Sequence, residues 1–173
     1  MVVLFALLSA SVRDDPAPWS NVRWGADRGE VQRSIAGLRV PETIFLQGVL
    51  GQQLGLEGDA RLAQVDVFVR YYFTKEGGLA VIKVVPADER GCEAFRRAAE
   101  QTYGSAYSTE TTAPSVPSDM GSIRRTWTTD HRIITHIDIL GVPWLQERCN
   151  ITLHAPDFDR RGLPNNASNK DRS

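Results

Sequence analysis

The stretch AQVDVFVRYYFTKEGGLAVIKVV, Ala63 to Val85, decides how the rest of the chain is read. Val65, Val67, Val69, Tyr71 and Phe73 alternate with Asp66, Phe68, Arg70 and Tyr72, the period-two pattern of a strand with one buried face. Lys75-Glu76-Gly77-Gly78 supplies a tight connection, and the β-branched run Leu79 to Val85 follows. The segment therefore predicts an antiparallel hairpin. A hairpin of this kind needs a partner for its apolar face, and the sequence on either side offers two amphipathic helices.

On the N-terminal side, Asp27 is placed to cap a helix, and Glu30 stands three residues on, where its side chain can reach back to the cap residue. Val31, Ile35 and Leu38 follow on one face, with Gly37 as the stop, so the reading is a short helix from about Arg28 to Ala36. Between the two, Gly48, Gly51, Gly55 and Gly58 interrupt an apolar stretch from Pro41 onward, which predicts short strands and turns. On the C-terminal side a second helix opens after Pro86 with Asp88 as cap and runs to Tyr103, with Gly104 as its stop. Cys92, Phe95, Ala98, Ala99, Thr102 and Tyr103 form its apolar stripe, and Glu93, Arg96, Arg97 and Glu100 its polar one.

Ser105 to Ser122 is rich in Ser, Thr and Pro without periodicity and reads as a surface loop. Three strands are expected beyond it: Ile123 to Thr128, Arg132 to Leu140 and Arg148 to His154. Within the second of these, Ile133, Thr135, Ile137 and Ile139 read as the buried face, and Ile134, His136, Asp138 and Leu140 as the wet one. Residues 159–173 lack an apolar pattern and are expected to be a disordered tail. The expected fold is a two-layer α+β domain over residues 16–158, a mostly antiparallel sheet with both helices on one face. Residues 27–85 and 88–154 share the order helix then strands, which suggests two similar halves.

With 173 residues, 42% of them hydrophobic and 24% charged, the composition is that of a folded globular chain. Twenty Lys+Arg oppose 21 Asp+Glu, so no global positive field draws nucleic acid or an anionic membrane surface. Met1 to Ala10, MVVLFALLSA, is too short an apolar run to span a bilayer. It suits a secretory signal segment over residues 1–11, with cleavage near Ser11, although no Lys or Arg precedes Val2. A buried first strand is the alternative. Cys92 and Cys149 are the only cysteines, and an even count in an exported chain favours a disulfide over two buried thiols. By the chain-entropy relation, closing that loop stabilises the fold by about 4 kcal/mol. A periplasmic or secreted setting follows from the two features together.

The stretch Trp19 to Val31, WSNVRWGADRGEV, places Trp24-Gly25 before a capped helix containing Glu30-Val31. It resembles the opening of exported bacterial proteins, envelope lipoprotein and beta-lactamase-inhibitor-protein-like domains, which usually carry Met where Ala26 stands. The resemblance implies an envelope or periplasmic setting, helix-and-strand units building a sheet, and a role in binding another protein. It carries no catalytic residue.

The residues that could carry chemistry are few. His136 and Asp138 share one strand face, and His154 on a neighbouring strand could complete a metal site, but hydrogen bonding on a wet sheet face accounts for the same pair. Ser122, His136 and Asp138 could be assembled as a nucleophilic triad only on paper, since no G-x-S-x-G elbow occurs. The glycines from Gly48 to Gly58 match neither a phosphate loop nor a dinucleotide fingerprint, so no cofactor is expected. A binding surface is the other candidate: Trp144 in the Gly141-Val142-Pro143-Trp144 turn, rimmed by Arg124 and Arg125, with Tyr72. Trp24 and Trp127 read as core residues. The function expected is a non-enzymatic module that binds another envelope protein; the alternative is a small-ligand or metal-dependent enzyme using His136, Asp138 and His154.

Overall fold

A computed structural model describes residues 17–42, 52–88, 90–113, 120–141, 147–156 and 158. The segments expected to be a signal at 1–11 and a tail at 159–173, together with Gly48, Gly51 and Trp144, lie outside the described residues. The elements run α1 (Arg28–Ser34), β1 (Gln53–Leu62), β2 (Val65–Phe73), β3 (Leu79–Pro86), α2 (Cys92–Tyr103), β4 (Ser108–Thr112), β5 (Gly121–Thr128), β6 (Ile133–Leu140) and β7 (Cys149–His154). All seven strands form one sheet in the order β1-β2-β3-β7-β6-β5-β4, and each neighbouring pair is antiparallel. A three-stranded meander after α1 and a four-stranded one after α2 thus meet where β3 pairs with β7. The architecture is α+β, with the sheet predominating.

The hairpin expected from Ala63–Val85 is β2 and β3, in register from Val67 opposite Pro86 to Phe73 opposite Leu79. Its first strand begins at Val65, where the alternation begins, because Ala63 takes a left-handed φ of 51° and turns the chain. Ahead of that turn, residues 43–51 of the glycine-interrupted stretch lie outside the described residues, and the part that follows is not short strands. From Gln53 onward it is the ten-residue strand β1, and its glycines answer to close neighbours. A Cβ on Gly55 would sit 2.5 Å from the Phe73 ring, and one on Gly58 would sit 2.8 Å from the Leu38 side chain, so any larger residue forces one of those groups aside.

The helices differ from expectation at their ends. Asp27 caps α1 by accepting from the Glu30 N–H at 2.8 Å, but Glu30 itself pairs with Arg23 at 3.0 Å instead of returning to the cap. Ile35 is already extended, which stops α1 at Ser34. Asp88 does not cap α2: its carboxylate accepts from Arg90 N–H in the preceding turn, and Gly91 is the cap residue. The loop expected at 105–122 contains β4, whose strand conformation comes from pairing with β5 and not from any alternation of its own.

One core cluster joins Val31 of α1 and Phe95, Ala98 and Ala99 of α2 to one face of the sheet, represented by Leu56, Val69, Val84, Ile134 and Ile151. Both helices therefore cover the same face, the inner one. Trp19, fully buried, donates its Nε1–H to the Tyr103 hydroxyl at 3.2 Å. Trp24 donates to the His131 carbonyl and Trp127 to the Gly104 carbonyl. These three indoles tie the N-terminal segment, α2 and the β5–β6 hairpin together. Cys92 and Cys149 are joined, with Cα atoms 5.8 Å apart across a separation of 57 residues, and the bond pins the first turn of α2 to β7. No helix among the described residues is long and apolar enough to cross a membrane.

Candidate functional site

The disulfide also settles which way β6 faces. Cys149 points at α2, and its cross-strand partner is Asp138. Because directly paired residues share a face, Asp138, His136 and Ile134 all face inward. Ile134 and His136 are fully buried, whereas Ile133, Thr135 and Ile137 are only partly covered on the outer face. The expected assignment of the two faces of this strand is thus reversed.

Under α2, Arg125 donates to Asp138 at 2.7 Å and lies 3.5 Å from Nδ1 of His136. The His136 ring stacks at a tilt on Phe95, with centroids 5.7 Å apart. Its Nε2 is buried without a hydrogen-bond partner among the described residues. Burial holds His136 below its ordinary pKa; the Asp138 carboxylate opposes that shift, and the Arg125 guanidinium reinforces it. The neutral imidazole is the form the fold accommodates. Arg125 and Asp138 themselves line an open cavity of about 380 Å³ together with Arg90, Arg96, Arg148 and Leu140 among others. Arg96 is held by Glu93 and Glu100 at 2.7 and 2.9 Å.

The structure does not bring the three suggested metal ligands together. His154 follows Leu153, which is buried in the inner core, and so points to the outer face, where its Nδ1 lies 2.9 Å from the Ala155 carbonyl and its ring meets Phe158. His136 is on the inner face, paired in register with Ile151. Sheet alternation therefore separates the histidines by the thickness of the sheet. Asp138 does lie close to Cys92 and Cys149, but both sulfurs are committed to the disulfide.

The suggested binding surface is dispersed as well. Tyr72 is only 3% exposed and packs with Leu54, Ala80, Val81 and Phe158 in a second, smaller core on the outer face. Burial raises its pKa. Arg125 points inward to Asp138, and the adjacent Arg124 points outward and is exposed. Consecutive residues of a strand cannot rim one surface.

Two arrangements were not anticipated from the sequence. On the outer face, Glu147 accepts from Lys83 at 2.6 Å and pairs with Arg70. Burial would raise the Glu147 pKa, but Lys83 and Arg70 overcome this and hold it below the usual carboxylate range. Glu147 also takes a left-handed φ of 56°, a strained backbone for a residue with a side chain, which those two cations help to hold. Next to it the guanidinium groups of Arg39 and Arg70 both lie over the Phe68 ring, at 5.5 and 5.2 Å from its centre.

The second arrangement lies at the β4 end of the sheet. Four large apolar side chains among the described residues are exposed: Val40, Tyr107, Met120 and Leu140. Tyr107 immediately precedes β4 and is 86% exposed; Met120 immediately precedes β5 and is 58% exposed. Leu140 ends β6 opposite Gly121. Three of the four thus bracket one sheet edge, with Tyr107 at the start of β4 and Met120 and Leu140 at the other end of the β4–β5 pair. Tyr107 sits in a Ser/Thr-rich stretch that reads as loop, so only its position beside an unpaired edge distinguishes it.

No family model matches the chain, and no curated protein matches it. Among solved structures it is similar to a DUF4309 family protein (YjgB) from Bacillus subtilis subsp. subtilis str. 168, with 13% identity and a TM-score of 0.42 over 75% of this chain and 78% of that one.

Proposed function

We propose that this chain is a non-enzymatic protein-binding module that works outside the cytosol, where its disulfide persists. The observation that carries the reading is the exposed sheet edge β4, with Tyr107 exposed at one end of the β4–β5 pair and Met120 and Leu140 at the other. A strand edge can pair with an extended segment of another protein, and tyrosine is among the residues that dominate interface energetics. The Cys92–Cys149 bond supports an oxidising setting. The resemblance of Trp19–Val31 to exported envelope domains points the same way, as does the apolar leader at 1–11. The order α1 then β1–β3, followed by α2 then β4–β7, fits two similar helix-and-strand halves. In this reading His136, Asp138 and Arg125 organise the core under α2 and do no chemistry.

The test places a photo-crosslinking amino acid at Tyr107 in cells of the native host, with Arg97 on the exposed side of α2 as control. A discrete adduct with another envelope protein at Tyr107 but not at Arg97 is expected. No adduct, or the same adducts at both positions, would refute the reading. Alkylation of the unreduced, natively produced protein tests the setting separately: both sulfurs should resist labelling, and labelling of both would exclude an oxidising compartment.

A further inference from the structure

We infer that β4 is a strand-addition site, which accepts an extended segment of another protein with a cationic side chain opposite Glu110; this rests on the protein-binding reading above. At one edge of the sheet, β4 pairs only with β5 among the described residues, and in an antiparallel pair alternate residues turn their N–H and C=O groups away from the partner. Thr109, Glu110, Thr111 and Thr112 are all exposed. The opposite edge of the sheet is less available, because β1 already bonds to Arg39 through a two-way bridge between Arg39 and Glu57.

The charge pattern selects the occupant. Glu110 stands directly opposite Arg124 of β5, on the outer face, and makes no ion pair among the described residues. An added strand bearing Lys or Arg at the next position of that row gives the alternating order Arg124, Glu110, cation. Opposite charges on directly facing strand positions attract, and like charges repel. The same rule disfavours a second copy of this chain. Antiparallel pairing of β4 with itself in the register that uses all five residues sets Glu110 against Glu110. A shift of two residues, the smallest that keeps the faces matched, shortens the overlap and leaves the two carboxylates diagonal neighbours. Tyr107 at one end of the edge and Met120 at the other supply apolar contacts for the ends of the guest segment, so backbone hydrogen bonds, a central charge and two apolar ends define it.

The experiment uses the full-length isotope-labelled protein and two blocked heptapeptides of alternating threonine and valine, one with a central lysine and one with a central glutamate. The lysine peptide should shift and slow the exchange of amides within Thr109–Thr112 and bind at least fivefold more tightly than the glutamate peptide. Glu110→Lys should invert that preference without altering the spectrum of the core. Shifts that avoid β4, or a preference unchanged by Glu110→Lys, would overturn the inference, as would sedimentation showing that the unmodified protein dimerises through β4. A Tyr107 crosslink combined with failure of the peptide experiment removes strand addition and leaves the binding reading standing.

Discussion

Arg125 with Asp138 on the inner face, and Arg70 and Lys83 with Glu147 on the outer face, are ion clusters of similar make-up on one sheet. They differ in what lies above them. α2 covers the inner cluster, the disulfide fixes that helix at its first turn, and a fully buried His136 adjoins the pair. On the outer face, the carboxylate of Glu147 remains about one third exposed. The comparison teaches that covering, more than the identity of the charges, sets how much each contact matters to the fold. A charge removed from water must keep its partner, while a partly hydrated one can fall back on solvent.

Four changes would break or sharpen that contrast, from the largest effect to the smallest. Removing the clamp with the double substitution Cys92→Ala and Cys149→Ala should cost about 4 kcal/mol by the chain-entropy relation, measured by denaturant unfolding against the oxidised protein. A cost near zero would mean that α2 stays in place without its tether. Arg125→Leu leaves the Asp138 carboxylate without its partner under α2 and should cost about 3 kcal/mol, read in the same assay. Adding Asp138→Asn to that variant should recover part of the loss.

The third concerns pH. His136 has a folded pKa below the unfolded value of about 6.5, so between the two values the unfolded chain binds more protons than the folded one. Its contribution is therefore fully present above about pH 6.5 and is lost as the pH falls toward the folded pKa, with a slope of at most about 1.4 kcal/mol per pH unit. His136→Leu should flatten the stability profile in that window, and an unchanged profile would show that His136 is not the group responsible. The smallest effect belongs to the outer cluster: Glu147→Gln should cost about 1 kcal/mol, seen as a small drop in denaturation midpoint. If it matched Arg125→Leu, covering would not be the deciding factor.

Much of the fold is legible in the sequence, because local periodicity encodes it. The alternation from Val65 to Phe73, the stripe of α2 with Cys92 and Phe95 on one side, and Gly104 with its left-handed φ of 82° are all features of neighbouring residues. Two elements escape such reading. β1 runs through Gly55 and Gly58, whose smallness serves Phe73 and Leu38, residues distant in sequence. β4, Ser-Thr-Glu-Thr-Thr, is a strand because β5 pairs with it. The candidate edge was illegible for the same reason, since Tyr107 and Met120 flank it only once β4 is aligned on β5.

The residues of β6 show where the two levels divide. Both of its faces carry isoleucines, Ile133, Ile137 and Ile139 on one and Ile134 on the other, so a period of two establishes that this is a strand and leaves its orientation open. The sequence by itself determined the hairpin, the apolar stripe of α2 and the inward direction of Cys92, since each depends on spacing along the chain. Tertiary structure alone decided that His136 is buried and His154 is not. The Cys92–Cys149 bond turns Cys149 toward α2, Asp138 must share the face of its cross-strand partner, and that pairing carries His136 inside.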